Sequence, residues 1–267
     1  MLANFHTHTV FCDGAATPED IVRAAIDRGF TAIGLSGHGY TPFDLEYCMT
    51  DTEGYLAEIA RLKQQYGDRI HIYAGVEEDA LAPVDRQRFD YIIGSSHYLR
   101  VGGEYLSVDS GHDHFKRCLK AYQNDPLRLA QDYYEAFCAY IHARKPDVIG
   151  HFDLITKYDE TDASLFLKNA EYHRLAEQAI ANAAQSGCVF EVNTGAIARG
   201  LRTTPYPSES LLHVLKQQGA RLMLSSDSHS VDTLDFWFEQ AEQYLYDVGF
   251  RALYTLSDGQ FVAYSIR

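Results

Sequence analysis

The chain has 267 residues, 46% of them hydrophobic, with a formal net charge of -14 and a pI near 5.2. That balance argues against nucleic acid and anionic membranes as partners, since both demand clustered Lys and Arg. Five widely spaced cysteines (Cys12, Cys48, Cys118, Cys138, Cys188) without a C-x-x-C pair point away from a disulfide framework and towards a reducing cytoplasm. No stretch nears about 18 uninterrupted apolar residues and no basic-then-apolar leader opens the chain, so neither a membrane span nor a signal peptide is expected.

The first candidate element contains Asn4-Phe5-His6-Thr7-His8-Thr9. As a strand over 3–8, alternation sets His6 and His8 on one face and Thr7 on the other. Two imidazoles so placed can converge on one divalent cation. Asp13-Gly14 follows closely. Thr17-Pro18-Glu19-Asp20 reads as a helix start, with a hydroxyl cap, proline in the first turn and acids beside it. Ile21, Val22, Ala25 and Ile26 keep helical spacing up to Gly29. Residues 31–35 read as a buried strand ending in Ser36-Gly37-His38, and a helix spans about 51–66. Residues 70–76 form a third strand, ending in Glu77-Glu78-Asp79, and 90–93 a fourth, ending in Gly94-Ser95-Ser96-His97.

An insertion over about 98–146 is expected to be helical, mainly from 112 to 145, with a break at Asn124-Asp125-Pro126. Strand 147–149 ends in Gly150-His151, and a helix is expected over 164–185. Strand 188–192 contains the polar Glu191 and leads into Asn193-Thr194-Gly195. After a helix near 208–218, strand 221–224 ends in Ser225-Ser226-Asp227-Ser228-His229. A last helix, about 232–247, precedes a hairpin turning at Ser257-Asp258-Gly259. Seven strand candidates, most of them separated by helices, predict a parallel α/β barrel or a doubly wound sheet. With no linker-like stretch or shift in composition, one domain over 1–267 is expected.

The strand ends carry His6 and His8, His38, Glu77, His97, His151, Glu191 or Asn193, and Asp227 with His229; Asp13 joins them from the first loop. In a parallel barrel those ends share one face. Carboxylates and imidazoles crowded there without ions would repel one another or lack partners, so the set predicts a metal site.

In order and spacing, these motifs resemble the PHP (polymerase and histidinol phosphatase) domain. The matching motifs are H-x-H with a downstream D-G (His6, His8, Asp13), S-G-H (His38), G-V-E (Glu77), G-S-S-H (His97), G-H (His151) and S-D-S-H (Asp227, His229). They fill all nine positions between residues 6 and 229. Asn4 and Gly37 stand where the family often has aspartate, and neither position is a ligand in the family pattern. The insertion and the stretch from Glu191 to Ser208 look most like the histidinol-phosphate phosphatases. The resemblance implies a distorted parallel (β/α)7 TIM-like barrel holding three divalent transition metal ions, zinc, manganese or iron. One would take His6, His8, Glu77 and Asp227, and a second Asp13, His38 and His229. The third would take His97 and His151, with Glu77 bridging to the first.

The activity so implied is hydrolysis of a phosphomonoester, L-histidinol phosphate, in histidine biosynthesis. Asp13, Glu77 and Asp227 leave three divalent ions with net positive charge, which a phosphate dianion can neutralise. Lys157, Arg199 and Arg202 are candidate contacts for the phosphoryl oxygens. Asp227 is the candidate for proton transfer, beside catalytic roles for Arg199 and Lys157. Glu78 and Asp79 are candidates for orienting imidazoles, and His112 and His114 for contacts on the substrate side. His71, His142, His173 and His213 read as surface or core residues, and Cys12 as a small buried hydrophobe. A different phosphoesterase of the same family, acting on phosphotyrosine or a small phosphodiester, is the alternative within enzymes. A non-catalytic metal-stabilised module is the alternative outside them.

Overall fold

The computed structural model describes residues 2–161 and 164–267. Strand β1 (Ala3–Asn4) precedes helix α1 (Pro18–Asp27), whose start is a capping box: Thr17 Oγ1 accepts from the Asp20 amide and the Asp20 carboxylate from the Thr17 amide. Strand β2 (Ala32–Leu35), helix α2 (Thr52–Tyr66, capped by Asp51), strand β3 (His71–Asp79) and strand β4 (Tyr91–Ser95) follow.

The insertion opens with a hairpin, β5 (Tyr98–Val101) and β6 (Glu104–Ser107), which departs from the helical expectation there. Gly102 and Gly103 turn it with φ of 59° and 92°, a region glycine enters freely. Helices α3 (His112–Ala121) and α4 (Pro126–Arg144) complete the insertion, and Asp125 caps α4 at the expected break. Strand β7 (Val148–Ile149) leads to helix α5 (Ala170–Ala184), which starts later than expected. Asn169 caps it, and Ser164 holds a left-handed φ of 49° that a helix cannot use. Residues 162 and 163, which precede the expected helix, lie outside the described residues. Strand β8 (Val189–Asn193), short helix α6 (Gly195–Ala198), helix α7 (Glu209–Gln217) and strand β9 (Leu222–Ser225) come next. Helix α8 (Phe238–Val248) begins only after a left-handed Trp237, and strands β10 (Ala252–Ser257) and β11 (Gln260–Ser265) form the tail hairpin.

Seven strands pair in parallel in the order β1-β2-β3-β4-β7-β8-β9. The sheet curls until its ends meet. The His8 amide donates to Ser228 O at 2.8 Å and the Ser228 amide to His6 O at 3.1 Å, just beyond β1 and β9. Asn4 reinforces this seam: its amide nitrogen donates to Ser226 Oγ (2.7 Å) and Leu234 O (3.0 Å), while its oxygen accepts from the His6 amide. A carboxylate there could accept but not donate. The fold is therefore a nearly closed barrel of seven parallel strands flanked by helices, not a doubly wound sheet.

Apolar side chains plug the barrel at the strand starts: Phe5, Tyr91, Ile93, Val148, Val189 and Met223, with Leu256 from the tail hairpin. The Tyr91 ring lies across β2 and β3, where a Cβ on Gly34 or Gly75 would collide with it. With that end filled, polar side chains can gather only at the opposite, C-terminal end.

Candidate metal centre and cleft

All nine expected residues meet at that end. Glu77 is at their focus. Its Oε1 lies 2.8 Å from His151 Nε2 and 3.2 Å from His97 Nε2. Its Oε2 lies 2.9 Å from His38 Nδ1, 3.2 Å from His6 Nε2 and 3.6 Å from His8 Nε2. Asp227 Oδ1 faces His8 Nε2 at 3.1 Å and His6 Nε2 at 3.6 Å. Asp13 reaches His229 Nε2 at 3.3 Å, His8 Nδ1 at 3.5 Å and His38 Nε2 at 3.6 Å.

Among the described residues, four sets have ligand atoms close enough to share an ion: His6, His8 and Asp227; His8, Asp13, His38 and His229; His6, Glu77 and His151; and His38, Glu77 and His97. His6 Nε2, His8 Nε2, Glu77 Oε2 and His151 Nδ1 are buried without a hydrogen-bond partner. Buried polar atoms are rarely left so. Mixed imidazole and carboxylate donors in closed sets fit zinc, manganese or iron better than magnesium or calcium, which favour all-oxygen shells.

The electrostatics carry the same signature. Burial alone would discharge His6, yet Glu191, Glu77 and Asp227 raise its pKa well above the ordinary value. His97 is likewise raised by Glu77 and Asp79 against burial. Burial, with His229 and His38 nearby, instead pushes His8 down to about 3. Burial would favour protonated Glu77, but His6, His97 and His38 hold its carboxyl well below the usual range, as Arg199 and His6 do for Asp227. These are strongly coupled charges in a dry site, the condition that cations relieve.

Strand alternation sorts the acidic run of β3. Glu77 and Asp79 face the site; Asp79 Oδ2 accepts from the His97 amide at 2.9 Å and lies 3.3 Å from its Nδ1. Glu78 points the other way and does not meet the expectation of orienting an imidazole. Arg144 (2.8 and 2.7 Å), Tyr140 (2.6 Å) and the Val84 amide (2.7 Å) bind it. A residue outside the nine matched positions matters more. Glu191 is fully buried, accepts from His6 Nδ1 at 2.5 Å and from the His151 amide at 2.7 Å, and also binds Asn193 and Ser225. Its signal was a lone carboxylate inside the apolar run of β8. Asn193 itself shapes the turn, its side chain accepting from the Gly195 amide at 2.9 Å.

A cleft of about 440 Å³ opens over the centre. Arg199 and Lys157 both line it. Arg199 Nη2 lies 2.9 Å from Asp227 Oδ2, and Lys157 Nζ 3.0 Å from Asp109 Oδ2. Arg202 departs from its expected place as a substrate contact. Its fully buried guanidinium donates to Thr156 Oγ1 at 2.5 Å and lies 4.5 Å from the Tyr206 ring centre and 3.8 Å from Asp153. It braces the wall from behind. His112 and His114 are also absent from the described cleft lining; His112 packs on Tyr158 and His114 on Ser110 O. Tyr47, Tyr98, Asp109 and Ser110 line the cleft without any sequence motif to announce them.

Residues 4–195 match the PHP domain family. A probable histidinol-phosphatase of Schizosaccharomyces pombe is 31% identical over 95% of this chain and 89% of its own length. The histidinol-phosphatase of Bacillus subtilis is 24% identical, over 88% of this chain and 96% of its own. A crystal structure of the histidinol phosphate phosphatase of Lactococcus lactis, complexed with zinc, L-histidinol and phosphate, superposes with a TM-score of 0.72 at 22% identity, covering 97% of this chain and 98% of that one. That likeness is one of fold. With the family match spanning most of its length, and a relative above 30% identity matching nearly end to end, this chain belongs to the PHP domain family.

Proposed function

We propose that the chain is a metal-dependent phosphomonoester hydrolase that converts L-histidinol phosphate to L-histidinol and phosphate, a step of histidine biosynthesis. The observation that carries this reading is Glu77 dividing five imidazoles between its two oxygens beneath a cleft lined by two cations. The kinship with histidinol-phosphatases supplies the substrate.

The chain would hold three divalent transition metal ions, one on His6, His8, Glu77 and Asp227, a second on Asp13, His38 and His229, and a third on His97 and His151 together with Glu77; the close donor sets around Glu77, His6 and His8 support a multinuclear centre. When bound, such ions act as Lewis acids toward phosphoryl oxygens and acidify water. The chain's own residues do the rest. Arg199 and Lys157 hold the phosphoryl oxygens as charge accumulates on them. Asp227 takes a proton from the attacking water as the new P–O bond forms. It returns that proton to the alkoxide released when the ester P–O bond breaks. We further take the whole chain to act as one domain in the cytoplasm, with a small phosphorylated molecule as its partner and no nucleic acid or membrane.

The test is phosphate release by metal-quantified protein from L-histidinol phosphate, phosphotyrosine and a small phosphodiester. A clear preference for L-histidinol phosphate, at close to three ions per chain, is the expected result. Metal-loaded protein that releases no phosphate from any of them would sink the enzymatic reading, leaving a metal-stabilised module.

A further inference from the structure

Four carboxylates are among the described residues lining the cleft: Asp13, Glu77, Asp109 and Asp227. Three of them face imidazoles within ion-pair distance. Asp109 does not, and its ion partner is Lys157, at 3.0 Å. The placement is built. Ser107 Oγ donates to Asp109 Oδ1 (3.2 Å) and accepts from the Asp109 and Ser110 amides, while Tyr158 OH (2.5 Å) and Lys157 Nζ (3.1 Å) both bind the Asp109 carbonyl. A carboxylate fixed beside a phosphate-binding cation weakens phosphate capture, unless the substrate brings a positive charge of its own.

We propose that Asp109 is the receptor for an ammonium group on the leaving alcohol, so that the cleft selects phosphate esters of vicinal amino alcohols. This rests on the phosphatase reading above. In such an ester the ammonium sits two carbons from the ester oxygen, so the two charges of the substrate lie side by side. Asp109 and Lys157 also lie side by side, with the signs reversed. The ion pair of the free protein is then a placeholder: the phosphate takes Lys157, the ammonium takes Asp109, and no buried charge is left without a partner. Tyr47 and Tyr98 wall the same cleft and offer apolar surface to the rest of the alcohol.

The experiment compares kcat/KM for L-histidinol phosphate and for its des-amino analogue, in metal-loaded wild-type protein, Asp109→Asn and Lys157→Met. Wild type should favour the amine by roughly 10- to 100-fold, the scale of one charge-assisted contact. Asp109→Asn should bring that ratio close to one, mainly through KM for the amine, whereas Lys157→Met should lower both substrates together. A wild type with no preference, or an Asp109→Asn protein that keeps it or loses both substrates equally, overturns the proposal while leaving the phosphatase reading intact. If metal-loaded wild type releases phosphate from neither ester, the reading itself falls and this inference with it.

Discussion

Glu191 Oε1 lies 2.5 Å from Nδ1 of His6, with both side chains fully buried. Burial opposes the charge on Glu191, but His6 holds its carboxyl below the usual range, so the carboxylate accepts and Nδ1 donates. Nε2 of His6 is thereby turned towards Glu77 and Asp227. Such carboxylate–imidazole pairs orient a ligand ring and raise its basicity. Glu191→Gln keeps the volume but can bring its amide N–H to the ring. It should lower metal affinity or turnover by about 10- to 100-fold. Metal titration of the purified variant is the check, and wild-type affinity would reduce Glu191 to a packing residue.

Asp227 sits at φ 49°, a left-handed conformation that asparagine also tolerates, so Asp227→Asn leaves the loop in place. Most metal should be retained while turnover falls by at least about 100-fold, the scale of general acid–base catalysis. Arg199→Ala should cost roughly 2–4 kcal/mol in transition-state stabilisation, about 30- to 1000-fold in rate, with metal content intact. Turnover and elemental analysis on the same samples decide both. A metal-loaded Asp227→Asn protein at near wild-type rate would reduce Asp227 to a ligand.

Arg202 should behave differently, because it is buried 3.8 Å from Asp153, with both side chains out of contact with water. Arg202→Leu leaves that carboxylate without its cation and should destabilise the fold by about 3–5 kcal/mol. Denaturant unfolding measures the loss. A stability close to wild type, with phosphate binding weakened instead, would restore Arg202 to the substrate side.

Metal removal should expose the charge cage as a pH dependence of stability. Burial opposes protonation of His38, but Glu77 and Asp13 raise its pKa from 6.5 to about 9. That stabilisation is fully present below the unfolded value of 6.5 and is lost as pH rises through about 9. His8 has the opposite sign: with its folded pKa lowered to about 3, its contribution is present above 6.5 and lost as pH falls. The melting temperature of chelator-treated protein should therefore peak near the shared unfolded value and fall on both sides. Metal-loaded protein should hold its melting temperature through the alkaline limb, since bound ions displace those protons. A flat alkaline limb in the metal-free protein would contradict the charge assignment.

The sequence by itself determined the inventory of the site and its order. Strand ends marked by Gly-His, Gly-Ser-Ser-His, Gly-Val-Glu and Ser-Asp-Ser-His can be recognised from local periodicity, and parallel topology then carries them to one face without further information. It could not decide which polar residues turn inwards, what braces them, or whether the sheet closes. Asp79 and Glu78 differ by one position and part company through alternation. Asn4 closes the seam with a serine 222 residues away, Glu191 meets His6 across 185 positions, and Arg202 meets Thr156 across 46. Contacts of that range leave no periodic trace in a chain. They exist only once the barrel has curled and its buried polar groups have been brought within reach of distant partners, which is a property of the packed tertiary structure.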